Sequence, residues 1–315
     1  MSLGAQAAPL IAVLGDSFVD VLAGVEGLPT WGQDTPCTSP IQMQPGGSAL
    51  NTATQLANLN GTRVAFHTAL GADAFGEMLT GHLAKRHVEL HSPLLSNVPT
   101  GVCIVLTGRG DRAFVTHYGA ARVFAIDHID KEALFQAKHI HIGGFYSVLG
   151  LVPDLAALLR EAKARGITLS LDTNYDGSEE WANLEEILPL LDVFLPNEVE
   201  ARRISKRDSL DEAIAYFAAA APHMLTVLKV GGDGVRAHCA ATSQDFCFGG
   251  FPTDVVDATG AGDAFNAGFL YAWTQHHDVM QGLKWGCAVG SMCVRVVGAC
   301  TNVPAFDALC AMVQQ

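Results

Sequence analysis

The sequence predicts an α/β protein built on a doubly wound, mostly parallel sheet flanked by helices on both faces, with a small β-sheet lid. Two observations point to the sheet. Apolar runs of strand length recur along the chain, and between them lie segments whose apolar residues repeat every three or four positions. Short continuous strands separated by helices require a parallel sheet buried on both faces. A third observation points to the lid: residues 18–45 and 101–118 alternate without a helical pattern.

In chain order the predicted strands are "LIAVLG" (10–15), "RVAFHTAL" (63–70), "HIHIGG" (139–144), "ITLSLD" (167–172), "DVFLPN" (192–197) and "LTVLKVG" (225–231). The helical patterns are "ALNTATQLANL", "FGEMLTGHLAKR", "PDLAALLREAKARG", "SLDEAIAYFAAAA" and "AFNAGFLYAW". The lid stretch "GVCIVLTGRGDRAFVTHY" carries a "GRGD" turn and reads as β-hairpin material outside the main sheet. No repeat, low-complexity tract or linker divides the chain, so residues 1–315 are read as a single domain with lid segments at 18–45 and 101–118.

Composition bounds the partners. Hydrophobic residues make up 49% of the chain and charged residues 16%, ample for a core. The formal net charge of −13 repels nucleic acid and anionic membranes. No apolar run nears the roughly 18 residues of a membrane span, and the opening "MSLGAQAAPLIAVLGD" lacks a basic n-region and its apolar part "LIAVLG" reads as a first strand, so a cytoplasmic protein is expected. Its eight cysteines form no C-x-x-C pair and read as reduced, mostly buried thiols.

Open parallel sheets bind ligands beyond the carboxyl ends of their strands. Polar clusters stand at several such ends: Asp20 after "LGDSFV", Asp172 and Asn174 in "LDTN", Asn197, Glu198 and Glu200 in "PNEVE", and Lys229, Gly231 and Gly234 in "KVGGDG". In "DATGAGDAFNAGFLYAW" glycines feed a helix N-terminus, whose free amides favour an anion. It is neither a Walker A loop nor a dinucleotide fingerprint. The residues alone leave Asp263 open between the N-cap of its helix and a catalytic carboxylate. Gly46, Gly47 and Asn51 in "QPGGSALNTATQLANL" again place glycines before a helix, or else form a plain tight turn.

These residues resemble the ribokinase-like, or PfkB, carbohydrate kinases. "DATGAGDAF" is similar to that family's C-terminal signature, "PGGSALNTA" to its N-terminal one, "PNEVEA" to its metal and phosphate motif and "KVGGDGV" to its nucleotide strand. The resemblance implies an ATP-dependent kinase that phosphorylates a hydroxyl of a sugar under a small β lid. It implies that Asp263 is the base, that the amides of Ala261, Gly262 and Asp263 form an anion hole after Gly260, and that Asp20, Gly46, Gly47, Asn51 and Asn174 hold the sugar. Asn197 and Glu200 would place Mg2+, largely through water. Lys229, Gly231, Gly234, Asn197, Thr259, Gly260 and Gly262 would lie along ATP. Asp257, Thr259 and Gly298, the last in "VVGACTNVP", would hold a monovalent cation such as K+, and some relatives dimerise through the lid. Where many sugar-specific members have an arginine after the segment matching "DTN", this chain has Asp176, which disfavours an acidic substrate unless Arg109, Arg112 or Arg122 compensates.

His117 in "FVTHYGAAR" is the histidine placed nearest the substrate, with a surface histidine as the alternative. His139 and His141 alternate on a strand without a third ligand and read as structural. Trp285 and Phe251 read as core or adenine-pocket walls. The competing functions are a nucleoside (adenosine-type) kinase, a catalytically silent sugar sensor of the same fold and, more weakly, an oxidoreductase.

Overall fold

The computed structural model describes residues 10–108, 111–301 and 304–314. Its strands are β1 (Leu10–Gly15), β2 (Phe18–Gly24), β3 (Gln42–Gly46), β4 (Arg63–His67), β5 (Leu70–Gly71), β6 (Glu89–His91), β7 (Leu94–Leu95), β8 (Gly101–Gly108), β9 (Asp111–His117), β10 (His139–Gly143), β11 (Thr168–Asp172), β12 (Val193–Phe194), β13 (Leu225–Lys229), β14 (Val235–Cys239) and β15 (Gln244–Phe248). Nine form one sheet in the order β15-β14-β13-β12-β11-β10-β1-β4-β6. From β13 to β6 the neighbours run parallel, and β14 and β15 add an antiparallel edge.

The continuous apolar strands have two buried faces, as a parallel sheet demands. In β1, Leu10, Ala12 and Leu14 join a core with the helix Val152–Ala164, while Ile11 and Val13 join a second core with the helices Ser48–Ala57 and Ala261–His276. The sheet is thus covered on both sides. Its carboxyl edge collects Asp16, Asp172, Asn197 and Lys229, each at or just beyond a strand end.

Several boundaries differ from the sequence expectation. "RVAFHTAL" splits, because Leu70 and Gly71 leave the main sheet to pair with Leu94 and Leu95. "DVFLPN" keeps only Val193–Phe194 as strand; Pro196 lacks an amide hydrogen, and Asn197 turns into the helix Glu198–Ser205. The pair β14 and β15 had no counterpart in the reading, since "VRAHC" and "QDFCF" mix polar residues into half-exposed strands. The helix Val279–Cys293, packed on Ala261–His276, was also absent from it.

The two lid segments make one four-stranded sheet, ordered β3-β2-β8-β9, with β2 and β8 parallel and the outer pairs antiparallel. Strand occupies only its two ends of the first segment, and residues 25–41 form a loop. Gly108 and Asp111 close the hairpin in register, with Arg109 and Gly110 outside the described residues. One row across this sheet is Gln44, Asp20, Cys103 and Thr116, on the side of Gly46 and the main sheet. The adjacent row, on the opposite face, is Met43, Val21, Ile104 and Val115.

Four cysteines are buried, Cys37 and Cys247 are exposed, and all eight are unpaired, so burial is less general than expected. No helix among the described residues is long and apolar enough to cross a membrane.

Candidate active site

The turn Asp257–Gly260 leads into the helix Ala261–His276, and Gly260 takes the N-cap position at φ 73° with no side-chain cap. Left-handed backbone suits glycine, and a Cβ there would lie 2.3 Å from the Ala299 Cβ. Asp263 is the third residue of the helix, which corrects the capping alternative. Its carboxylate turns to the helix Ser48–Ala57, where Ser48 Oγ donates to Oδ1 at 2.7 Å and Asn51 Nδ2 donates to Oδ2 at 2.8 Å. Burial and the Asp172 charge push the Asp263 carboxyl up to about 7, against the Asn51 and Ser48 donors and the Lys229 ammonium. A carboxylate poised there can act as a general base.

The three amides expected to form an anion hole differ in their hydrogen bonding. The Ala261 amide donates to the Ala258 carbonyl at 3.3 Å, whereas the amides of Gly262 and Asp263 find no acceptor among the described residues. Beside them Lys229 Nζ donates to Asp172 Oδ2 at 2.6 Å and to Asn266 Oδ1 at 3.3 Å. A Cβ on Gly262 would be 3.4 Å from that ammonium. Burial pushes the Lys229 ammonium down and Asp172 up, but their mutual attraction outweighs both. Asn266, one turn beyond Asp263, also donates to Asp172 and was not identified from the sequence.

On the expected sugar side, Gly47 at φ 98° starts the helix Ser48–Ala57. Asp20 projects from β2 so close to Gly46 that a Cβ there would lie 2.1 Å from its Oδ2. Burial, then the charges of Asp263 and Asp257, pushes Asp20 up to about 7. Asn51 Oδ1 is buried without a partner among the described residues, an acceptor facing no donor. Asp16 went unnoticed in the sequence although "LGD" places it directly after β1. It accepts from the Ala49 amide at 2.9 Å, and burial pushes it up to about 6. Asn174, at φ 60°, donates its amide to Asp172 Oδ1 at 3.3 Å.

Other expected residues fall elsewhere. His117 is exposed at the end of β9 and makes no hydrogen bond or ring contact with these residues. Asp176 is buried and accepts from the Ser178 and Trp181 amides at 2.9 and 2.7 Å, so it closes its own loop. Arg112 is spent on Thr259 Oγ1 at 2.5 Å and Asp257 at 3.5 Å, and Arg122 lies 3.9 Å over the Tyr118 ring. Arg109 lies outside the described residues. His139 and His141 share Ser170 Oγ at 2.7 and 2.8 Å inside the fold, a structural arrangement as expected.

On the other side of Gly262 lies a cavity of about 230 Å³ bordered by Lys229, Gly231, Gly234, Phe251, Gly262 and Cys287. Phe251 is therefore a pocket wall, while Trp285 packs against Tyr271 and Phe306. A wider cleft of about 940 Å³ runs between the lid sheet and residues 255–258. Asn197 and Glu200 form a reciprocal capping box, in which Glu200 Oε1 and Oε2 accept from Asn197 Nδ2 and N at 2.7 and 2.9 Å. The Glu200 carboxylate is buried, and both its oxygens are engaged by Asn197. Asp257 accepts from Thr259 and from the Gly298 amide at 2.9 Å each, so these three residues do come together.

Comparison with known proteins gives the lineage of this site. The chain is 28% identical over 312 residues to the ATP-dependent ribose-1-phosphate kinase of Halopiger xanaduensis, covering 97% of this chain and 99% of that protein. It is 28% identical to the adenosine kinase of Saccharomyces cerevisiae over 268 residues, 80% of this chain and 78% of that one. The structure of Arabidopsis thaliana ribokinase complexed with ribose and ATP superposes with a TM-score of 0.82 at 24% identity, over 98% of this chain and 99% of the other. The pattern of the pfkB family carbohydrate kinases matches residues 8–305, and the chain belongs to that family.

Proposed function

We propose that the protein is an ATP-dependent kinase that transfers the γ-phosphoryl group to a hydroxyl of a neutral sugar or sugar-like substrate. The observation that carries this reading is a buried carboxylate, Asp263, held by Ser48 and Asn51 at the helix turn that also presents the Gly262 and Asp263 amides. The attacking hydroxyl gives its proton to Asp263 as its oxygen bonds to phosphorus, and ADP leaves. The free amides and the Lys229 ammonium face the charge on the transferred group. Mg2+ bound with ATP would neutralise phosphate charge, and Asn197 and Glu200 are the residues proposed to place it through water.

The sugar would be held by Asp20, Asn51 and the Gly46–Gly47 backbone, with Asp16 and Asn174 alongside. These side chains offer mainly acceptors, which suits hydroxyl donors. The described arginines near the lid are engaged elsewhere, which disfavours a phosphorylated or acidic sugar. Gly231 and Gly234 border the proposed nucleotide cavity. A nucleoside kinase is the second reading, favoured by Phe114, which is paired with Val105 on the cleft-facing side of the lid and 58% exposed.

The reading also includes one domain over residues 1–315, a K+ ion at Asp257, Thr259 and Gly298, a cytoplasmic setting supported by the unpaired cysteines, and a homodimer through the lid. ADP release should be followed with a panel of neutral sugars, sugar phosphates and nucleosides, in potassium and in choline salt. Asp263→Asn should lose roughly 10²–10⁴-fold in turnover if the carboxylate is the base. Full activity in that variant would end the mechanism, and phosphorylation of nucleosides alone would favour the second reading.

A further inference from the structure

We propose that Ser48 is a positioning residue for phosphoryl transfer, whose hydroxyl keeps the Asp263 carboxylate aimed and ionised for the incoming substrate hydroxyl. The inference rests on the kinase reading for its function, though not for its geometry.

Ser48 opens the helix Ser48–Ala57 and is 4% exposed. Gly47, not Ser48, is the N-cap, and that helix has no side-chain cap. Its first turn is fastened by other groups: the Ala49 amide donates to Asp16 Oδ1 at 2.9 Å, the Leu50 amide to the Asp16 carbonyl at 3.2 Å, and the Asn51 amide to the Gly47 carbonyl at 2.8 Å. The Ser48 hydroxyl therefore has no task in its own helix. It reaches Asp263 Oδ1 at 2.7 Å across 215 residues of chain.

The charges around Asp263 explain why a neutral donor matters there. Asp172 and Lys229 act on it from the sheet, Asp20 from the lid, Cys293 and Cys300 from beside its own turn, and Glu200 from the helix Glu198–Ser205. The single ammonium among them is bonded to Asp172. Asn51 is the other donor to Asp263, but its carboxamide also belongs to the proposed sugar site, where its Oδ1 has no partner among the described residues. Ser48 would remain the constant donor through the cycle, and an O–H that donates to a carboxylate favours the ionised form.

The test is the pH profile of kcat/KM for Ser48→Ala beside the parent. The acid limb should rise by about one pH unit, tenfold in the ionisation constant, so that the loss is about tenfold at pH 6 and nearly absent at pH 9. The melting temperature should barely change at pH 5, where Asp263 is protonated in both folded proteins, which separates the effect from misfolding. Profiles of the same shape, at equal height or displaced equally at every pH, would overturn the proposal. A second measurement does not need turnover: the carbon-13 titration of the Asp263 carboxyl, assigned with Asp263→Asn, should shift upward in ligand-free Ser48→Ala. An upward shift in a protein that phosphorylates no tested substrate would sink the kinase reading and leave the positioning of Asp263 intact; an unmoved titration would sink the positioning.

Discussion

Asp263 shows how far single residues could be read in advance. Its motif is visible in the sequence, because glycines lead directly into a helical pattern with Phe265, Phe269 and Trp273 at four-residue spacing. Its place in the helix was not, because the cap fell to Gly260, whose left-handed backbone and contact with Ala299 are products of the folded chain. Ser48, Asp16 and Asn266 escaped for the same reason: a serine, an aspartate and an asparagine acquire partners 33 to 215 residues away only when the sheet assembles. The buried carboxylate has a measurable consequence. Its folded-state pKa, about 7, is raised above the ordinary 3.8, so the native state holds the proton longer and stability falls as pH climbs through that interval. Asp263→Asn removes this contribution. The variant should melt above the parent at pH 8, with the gap shrinking toward pH 4; equal melting temperatures at pH 8 would show that burial costs the carboxylate nothing.

Elements were legible where burial is simple. The six buried residues of β1 admit few alternatives to a central parallel strand, and the four-residue spacing of Phe265, Phe269 and Trp273 survives as a stacked aromatic row along one helix face. The β14–β15 hairpin was illegible because half-exposed edge strands tolerate polar residues on both faces. The turn before the helix Ala261–His276 is sensitive to change. Gly260→Ala meets both a left-handed φ of 73° and an alanine methyl 2.3 Å away. It should lose at least about 2 kcal/mol of stability in urea titration, together with most activity, since the free amides sit on the next turn. A variant as stable as the parent would show that the turn can relax.

At the scale of the whole molecule the lid sheet carries apolar residues on both faces. Its cleft side pairs the polar row Gln44, Asp20, Cys103 and Thr116 with the row Gln42, Leu22, Val105 and Phe114, while an outer row is Met43, Val21, Ile104 and Val115, of which Met43 and Val115 are 57% and 59% exposed. Such a row across four strands is suited to a second copy of the same surface. Ile104→Glu should convert a dimer to a monomer in sedimentation velocity without changing the fold, and a parent that is monomeric at high micromolar concentration would remove the proposed assembly. One thin sheet that faces the cleft on one side and carries an apolar row on the other also ties two equilibria together. Whatever orders the sheet from outside lowers the entropy lost when substrate orders it from inside, and thermodynamic reciprocity makes the coupling equal in both directions. Substrate would then tighten the dimer, and the apparent substrate affinity would weaken as the enzyme is diluted below the dissociation constant of the dimer.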